Sequence, residues 1–250
     1  MIDLHNHLLF GMDDGADTVE TSLSLFNIQK EMGVNKVVVT PHYEPSNDDL
    51  ESFVDKRKQH AKMLQPALKL ENVDVEVKLG AEILYSVDMF DLDLEKLVIE
   101  GTDYLLIEFP TQGYISDLKR AMAQLLDQGY LPVFAHIERY DFLRSDLALM
   151  KDLVDMGVLF QVNAKTFLDA SQKGFIKACI KHNLIHLVAS DAHSITKRPP
   201  NLKKAYDQIE KDYGLKTVNY FKENAQCVYK NEIPDIKEPS VIRTFLGKYY

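Results

Sequence analysis

The amino-acid sequence predicts an α/β protein in which seven strand–helix units form one barrel. Short apolar runs rich in Val, Ile, Leu and Phe alternate with amphipathic stretches, which is the pattern of repeated βα units around a parallel sheet. The chain has 250 residues, 46% of them hydrophobic, and barrels of this kind commonly form one domain at this length. Histidines and carboxylates follow the predicted strands, where such barrels carry their functional residues.

Each unit is predicted from a short apolar strand and the amphipathic stretch that follows it. The first helix is expected over Thr18–Met32 with Asp17 as its N-cap, and Gly33, Gly129 and Gly157 fall where C-terminal glycine caps belong. The predicted strands are Ile2–Leu4, Lys36–Thr40, Val75–Ala81, Tyr104–Glu108, Leu131–Ala135, Leu159–Asn163 and Ile185–Ala189.

The rest of the chain indicates one domain over residues 1–250 with a distinct tail. No Gly/Ser-rich linker or internal repeat interrupts the βα pattern. From about Asn224 onward prolines and scattered charges replace it, so we expect a segment that wraps the barrel or stays flexible. The tail ends in Tyr249-Tyr250, which would act as a regulatory element or be only a chain terminus.

Composition excludes several classes of function. A net charge of −9 disfavours a nucleic-acid partner, which requires a basic face. The apolar runs are far shorter than the ~18 residues of a membrane helix, and the chain opens without a signal-like segment, so we expect a cytoplasmic protein without membrane insertion. The two cysteines, Cys179 and Cys227, do not have metal or redox spacing. The oligomeric state is not indicated.

The positions of the histidines and acidic residues carry the functional prediction. A lone histidine at a strand end is usually an ordinary surface residue, but in His5-Asn6-His7 alternate positions let both imidazoles reach one ion. Ligand-type residues after six of seven strands are not expected by chance. They are His5 and His7 after strand one, His42 after strand two, Glu82 after strand three, Glu108 closing strand four, His136 after strand five, and Asp191 and His193 after strand seven.

This ligand set predicts a hydrolytic metal site. Imidazole and carboxylate without thiolate favour manganese, iron or zinc over a structural zinc site. With Asp14 there are nine candidate ligands, enough for two or three divalent ions, manganese being favoured, with Glu82 or another carboxylate bridging. His60, His182 and His186 lack the strand-end placement. Asn163 would orient a metal-bound water or, more commonly for Asn, form a turn.

Several motifs together resemble the polymerase-and-histidinol-phosphatase (PHP) superfamily, and within it the bacterial tyrosine phosphatases of capsule or exopolysaccharide synthesis. The Asp-Asp-Gly and His-x-Glu-Arg-Tyr blocks are specific to that group, although Phe10 and Ile137 stand where its members often have Pro. The motifs are Asp3-Leu4-His5-Asn6-His7, Gly11-Met12-Asp13-Asp14-Gly15-Ala16, Thr40-Pro41-His42, Gly80-Ala81-Glu82, Leu106-Ile107-Glu108-Phe109, Ala135-His136-Ile137-Glu138-Arg139-Tyr140 and Ser190-Asp191-Ala192-His193.

The resemblance implies a distorted seven-unit (β/α) barrel of PHP type and a three-ion site. It also implies a phosphotyrosine protein as substrate, namely a cognate bacterial tyrosine kinase that controls polysaccharide export. The implied ligands are His5, His7, Glu82 and Asp191 for the first ion, Glu82, Glu108 and His136 for the second, and Asp14, His42 and His193 for the third.

The expected reaction is attack on phosphorus by a hydroxide that the metal ions generate. Arg139 and Arg198, in loops after site strands, are the expected phosphate clamps because guanidinium groups match phosphate oxygens. A phenolate leaves readily, so a dedicated general acid is not required, although Asp14 or His42 could serve.

Rival functions differ in what they require of the sequence. Cysteine-based phosphatases need an Arg six positions after the nucleophile, where this chain has Ile185 and Ile233. Amidohydrolases usually bridge their metals with a modified Lys where Glu108 stands. A small-molecule phosphatase such as a histidinol phosphatase, and a non-catalytic metal-binding regulator, stay open as alternatives.

Overall fold

The computed structural model describes residues 1–111, 118–240 and 242, and the backbone of residues 244–245 and 248–249. The strands are β1 (Ile2–Asp3), β2 (Lys36–Val39), β3 (His42–Tyr43), β4 (Glu76–Leu79), β5 (Glu82–Leu84), β6 (Tyr104–Glu108), β7 (Leu131–Phe134), β8 (Leu159–Asn163), β9 (Leu187–Ala189), β10 (Thr244–Phe245) and β11 (Lys248–Tyr249). The helices are α1 (Val19–Glu31), α2 (Leu50–Leu70), α3 (Leu118–Asp127), α4 (Asp141–Ser145), α5 (Leu147–Asp155), α6 (Ala164–Leu168), α7 (Lys173–Lys181), α8 (Leu202–Tyr213) and α9 (Leu215–Tyr229).

Strands β1 to β9 form a curled parallel sheet of seven strand units, which confirms the predicted fold. Strands β2 and β3 are two parts of one unit, as are β4 and β5, and the spatial order of the units follows the chain. The first break falls at Pro41, which has no backbone N–H to donate. The pairing resumes beyond it, since the N–H of Glu82 donates to the Pro41 carbonyl at 3.0 Å.

The two edges of the curled sheet meet where their strands end. Asn6 and Ala192 form a parallel bridge. The N–H of His7 donates to the Ala192 carbonyl at 2.8 Å, and the N–H of Asp191 donates to the His5 carbonyl at 2.9 Å. The first and last units therefore join beside the predicted metal ligands.

Helix α9 closes the opposite end of the barrel. Its buried residues Ala225, Val228 and Tyr229 belong to the same apolar cluster as the inward-facing residues of the strands. Two lysines of neighbouring strands bind this helix. The ammonium of Lys36 in β2 lies 4.7 Å from the centre of the Tyr229 ring, and Lys78 in β4 donates to the Tyr229 carbonyl at 2.8 Å. The barrel interior is thus packed and sealed at one end, which leaves the other end for the site.

The first helix begins one residue later than predicted. The N-cap is Thr18, whose hydroxyl accepts the N–H of Thr21 at 3.2 Å, whereas Asp17 accepts the hydroxyl of Thr21 at 2.7 Å. The prediction of Asp17 as N-cap is therefore wrong, because both residues can cap and the extended backbone at position 18 selects the threonine. The glycine caps are confirmed: residues 33, 129 and 157 all have left-handed backbone after a helix.

The prediction that the tail begins at about Asn224 is also wrong. Asn224 is buried inside α9 and donates to the His186 carbonyl at 3.0 Å, so the helix continues to Tyr229. The following residues run back along the barrel, and Ser240 bonds to His182 through its backbone and its hydroxyl. Beyond them the backbone of β10 and β11 forms a short antiparallel pair. The prediction about Tyr249-Tyr250 concerns side chains outside the described residues.

Candidate metal centre and active site

A buried carboxylate, Glu82, lies at the centre of the predicted ligand set. Its Oε2 atom is 3.1 Å from Nε2 of His5, 3.2 Å from Nε2 of His7 and 3.1 Å from Nδ1 of His42. Its Oε1 atom is 2.6 Å from Nε2 of His136. Both imidazoles of the His-x-His pair face Glu82, so four histidines from three strand units converge on one side chain.

Glu108 adds a second carboxylate beside this centre. One of its oxygens lies 3.5 Å from Nε2 of His136, and the other lies 3.7 Å from Nδ1 of His42. Ligand atoms of His42, Glu82 and Glu108 lie within 4.8 Å of one another, as metal ligands do. Burial and the negative charge of Glu82 raise the pKa of Glu108 to about 7. Two carboxylates this close need a positive charge between them to stay ionised together.

The exposed Asp14 defines a third cluster at the mouth. Its carboxylate lies 3.3 Å from Nε2 of His193 and 3.6 Å from Nε2 of His42. These three residues were grouped by the family resemblance, and the structure brings His7 to the same position as a fourth. All nine predicted ligands thus lie in one connected cluster at the strand ends.

Several buried polar atoms of the cluster suit a cation. Within the described residues, Glu82 Oε2, Asp191 Oδ1 and His193 Nε2 are shielded from solvent and make no hydrogen bond. A buried polar atom without a partner is costly, and bound divalent cations would supply partners for these atoms. Burial alone would raise the pKa of Glu82, but the imidazoles of His5 and His136 outweigh it and hold that pKa well below its usual range. The donor set therefore fits divalent metal ions.

Asp13 contacts the ligand cluster, although the motif analysis gave it no role. Its Oδ2 atom lies 2.7 Å from Nδ1 of His7 and accepts the N–H of His42 at 2.9 Å, while Oδ1 accepts the N–H of Gly15. Burial would lower the pKa of His7, but the hydrogen bond to Asp13 and the neighbouring carboxylates of Asp191 and Glu82 raise it well above its usual value. The available signal was the first acid of the Asp-Asp-Gly block, beside the predicted ligand Asp14.

The two predicted phosphate clamps converge on Asp191. Nη2 of Arg198 lies 2.6 Å from Asp191 Oδ2, and Arg139 binds the same oxygen. Both guanidinium groups are about one-third exposed, at the wall of a cavity of about 220 Å³. The other oxygen of Asp191 faces Nε2 of His5 and of His7, each at 3.5 Å. Asp191 therefore links the clamps to the ligand cluster, and Nη1 of Arg139 also lies 3.9 Å from an oxygen of Glu108.

Two of the predicted ligands have strained backbone. His136 has φ 32° and Asp191 has φ 50°, and such left-handed conformations are uncommon for residues other than glycine. Tyr140 supports the first of them, since its hydroxyl lies 3.2 Å from Nδ1 of His136 and accepts the N–H of Phe109. The Tyr of the His-x-Glu-Arg-Tyr block thus helps to hold the His136 side chain in place.

The three excluded histidines lie away from the ligand cluster. His60 stacks on Phe10, His182 binds Ser240, and buried His186 accepts the N–H of Phe160 at 2.9 Å. Asn163 is neither a turn residue nor exposed: its amide donates to Asp191 Oδ2 at 2.6 Å. The turn interpretation of Asn163 is therefore wrong, because Asn163 is the last residue of β8 and its backbone is extended.

A curled parallel sheet with a histidine- and carboxylate-lined mouth places the protein among barrels of the PHP and amidohydrolase type. A structure of an organophosphorus hydrolase mutant has the same fold, with a TM-score of 0.53 at 10% identity over 90% of this chain and 91% of that one. Within this class, the chain belongs to the family described as "Capsular polysaccharide synthesis, CpsB/CapC", whose model matches residues 1–230.

Two relatives within that family are similar over nearly their whole length. The tyrosine-protein phosphatase CpsB of Streptococcus agalactiae is 34% identical over 242 residues, covering 92% of this chain and 99% of that protein. A solved structure from work on YwqE of Bacillus subtilis and CpsB of Streptococcus pneumoniae, described as unique metal-dependent tyrosine phosphatases, has a TM-score of 0.88. It is 28% identical and covers 98% of this chain and 100% of that one.

Proposed function

We propose that this chain is a metal-dependent tyrosine phosphatase that hydrolyses phosphotyrosine in proteins. The observation that carries the proposal is the pairing of a metal-ligand cluster with two arginines across Asp191. Such a pairing suits a phosphate monoester, which needs cations on several oxygens at once. The relatives described as tyrosine phosphatases support the same conclusion.

Nine residues would hold two or three divalent ions, for which manganese is our first choice and iron or zinc the alternatives. When bound, the ions would lower the pKa of water and neutralise charge on phosphoryl oxygens. Glu82, at the centre of four imidazoles, is the proposed shared ligand. The proposed ligands are His5, His7, Asp14, His42, Glu82, Glu108, His136, Asp191 and His193.

The protein's own groups then orient the substrate. Arg139 and Arg198 are the proposed clamps on the phosphoryl oxygens, because their guanidinium groups lie at the mouth and carry planar donors. Asp14 is the most exposed of the proposed ligands and lies beside His42, so these two are the proposed groups for handing a proton to the departing phenolate.

The test is a comparison of substrates on one preparation. Chelated protein is reloaded with Mn²⁺ and assayed on a phosphotyrosine peptide, a phosphoserine peptide and histidinol phosphate. We expect metal-dependent turnover that is fastest on the phosphotyrosine peptide. Faster turnover of histidinol phosphate would instead identify a small-molecule phosphatase, and no turnover of any substrate would identify a metal-binding regulator.

The partner and the location are finer proposals. A cognate bacterial tyrosine kinase of polysaccharide synthesis is the proposed substrate, supported by the family to which the chain belongs. A cytoplasmic location is proposed because Cys179 and Cys227 are both free thiols. None of the helices in residues 1–111 and 118–242 has the length and apolar character needed to cross a membrane.

A further inference from the structure

We propose that Gln161 and Asn163 form a buried amide relay that sets the orientation of His5, His136 and Asp191, and so positions the metal ligands. Both side chains point from β8 into the barrel, next to the cluster, and both are buried. The inference rests on the proposed metal-dependent function.

The relay begins at a backbone N–H, which can only donate. The N–H of His136 donates to Oε1 of Gln161 at 2.9 Å. This contact fixes which end of the Gln161 amide is the oxygen, an assignment that is otherwise ambiguous for Gln and Asn. It also restrains His136, whose backbone is left-handed at this residue.

The same oxygen then fixes the tautomer of His5. Nδ1 of His5 lies 3.1 Å from Gln161 Oε1, and since a carbonyl oxygen accepts, Nδ1 must carry the proton. The lone pair is left on Nε2, which faces Glu82 and Asp191. Ligating histidines commonly have their second nitrogen held in this way.

The other end of the Gln161 amide fixes the orientation of Asn163, which in turn binds Asp191. Its Nε2 atom donates to Oδ1 of Asn163 at 2.9 Å, so the amide nitrogen of Asn163 must point the other way. That nitrogen donates to Asp191 Oδ2 at 2.6 Å. Asp191 Oδ2 is thereby occupied by the relay and the two arginines, and Oδ1 is left facing the imidazoles.

Every donor and acceptor in this series has a single consistent direction. Reversing the Asn163 amide would place oxygen against the Asp191 carboxylate, and reversing Gln161 would place its NH₂ group against the His136 N–H. Polar networks of this kind hold one arrangement because partial satisfaction is costly. The sequence signal is a pair of polar residues at alternate positions of an otherwise apolar buried strand, Leu-Phe-Gln-Val-Asn.

The experiment measures Mn²⁺ binding to chelated protein by calorimetry, with no substrate present. Gln161→Met and Asn163→Leu preserve volume and remove the amides, and each should weaken binding at the affected site by about tenfold to a hundredfold. Since the two residues act in series on Asp191, the double variant should lose less than the product of the two single losses. The control is Asn224→Leu, which removes a buried amide far from the cluster. It should lower thermal stability and leave Mn²⁺ affinity unchanged.

A spectroscopic measurement separates positioning from packing. In metal-free protein labelled with ¹⁵N-histidine, His5 should carry its proton on Nδ1 in the wild type, and Gln161→Met should shift it toward the other tautomer. If Gln161→Met does not fold, Asn163→Leu alone tests the relay by calorimetry. The relay would be overturned if both Gln161→Met and Asn163→Leu bound Mn²⁺ with wild-type affinity. If only Asn163→Leu folds, wild-type affinity in that variant would overturn it. A wild type that binds no Mn²⁺ would overturn the proposed function together with it.

Discussion

The carboxylate of Asp13 lies 2.7 Å from Nδ1 of His7, on the side of the ring away from Glu82. We predict that Asp13→Asn weakens metal binding by about tenfold to a hundredfold, because the neutral amide no longer supports His7 as a ligand. Calorimetry with Mn²⁺ on chelated protein measures this loss. The matched control is Asp17→Asn, which removes an exposed acid from the same segment. Equal affinities for the Asp13 variant and the wild type would contradict the prediction.

We predict that Arg198→Ala keeps its metals and loses rate. Asn163 and Arg139 still hold Asp191 Oδ2 in that variant, so the ligand should stay oriented. A charge-assisted bond to phosphate is worth about 1.5–3 kcal/mol, so kcat/KM should fall on the order of tenfold to a hundredfold. Lysine lacks the planar fork, and Arg198→Lys should recover only part of the loss.

The control for this prediction is Lys165→Ala, which removes another cation from the wall of the same cavity. It should change kcat/KM by less than Arg198→Ala does, since an exposed charge acts weakly through solvent. Metal analysis accompanies the kinetics. An Arg198→Ala enzyme of unchanged efficiency on a phosphotyrosine peptide would remove this arginine from the site.

We predict that activity depends on metal and not on thiols. Burial raises the pKa of Cys179 well above its usual value, so its thiol is not a nucleophile at neutral pH. Replacing Cys179 by Ala and Cys227 by Ser should leave turnover largely intact, whereas chelation should abolish it until Mn²⁺ returns. His136→Ala should lose metal and activity together, since it removes an imidazole from the Glu82 centre. An inactive cysteine variant that keeps its fold and metals would refute the mechanism.

We predict that His186 makes the metal-free protein less stable as pH falls. Burial lowers the pKa of His186 to about 3, against about 6.5 in an unfolded chain, so between these values the unfolded state binds the extra proton. This difference should lower the free energy of unfolding by about 2 kcal/mol as the pH falls from about 7 to about 5. His186→Asn keeps an acceptor for the Phe160 N–H and should remove that part of the slope. Urea denaturation at both pH values measures it, and equal slopes would count against the prediction.

The fold and the convergence of the candidate ligands could be predicted because each depends on a local pattern. Glu108 closes a strand and His136 follows one, and in a parallel barrel those positions meet at one mouth whatever the details of packing. The helix start at Thr18 could not be separated from Asp17, since two adjacent residues can each cap and the backbone angles decide. The end of helix α9 could not be predicted, because polar residues such as Asn224 are also common in irregular tails and its burial is not visible in the sequence.

Residues that support the ligands were harder to predict. Gln161 meets His5 across 156 positions of sequence, and only the curvature of the sheet brings them together. The sequence does not distinguish the adjacent acids Asp13 and Asp14, yet Asp13 lies beside His7 and Asp14 lies beside His193. The roles of such residues follow from cross-strand geometry, which no local pattern contains.

The junction of Asn6 with Ala192 has a consequence for how the chain reaches its native state. His5 is synthesised long before Asp191, because six strand units of the barrel lie between the two residues. The ligand cluster therefore cannot assemble on a nascent chain before the last strand unit arrives. An ion bound between His5 and Asp191 would act as a clasp across the seam, favouring the closed barrel over forms with separated edges. Metal supply during synthesis would then influence the yield of folded protein as well as its turnover.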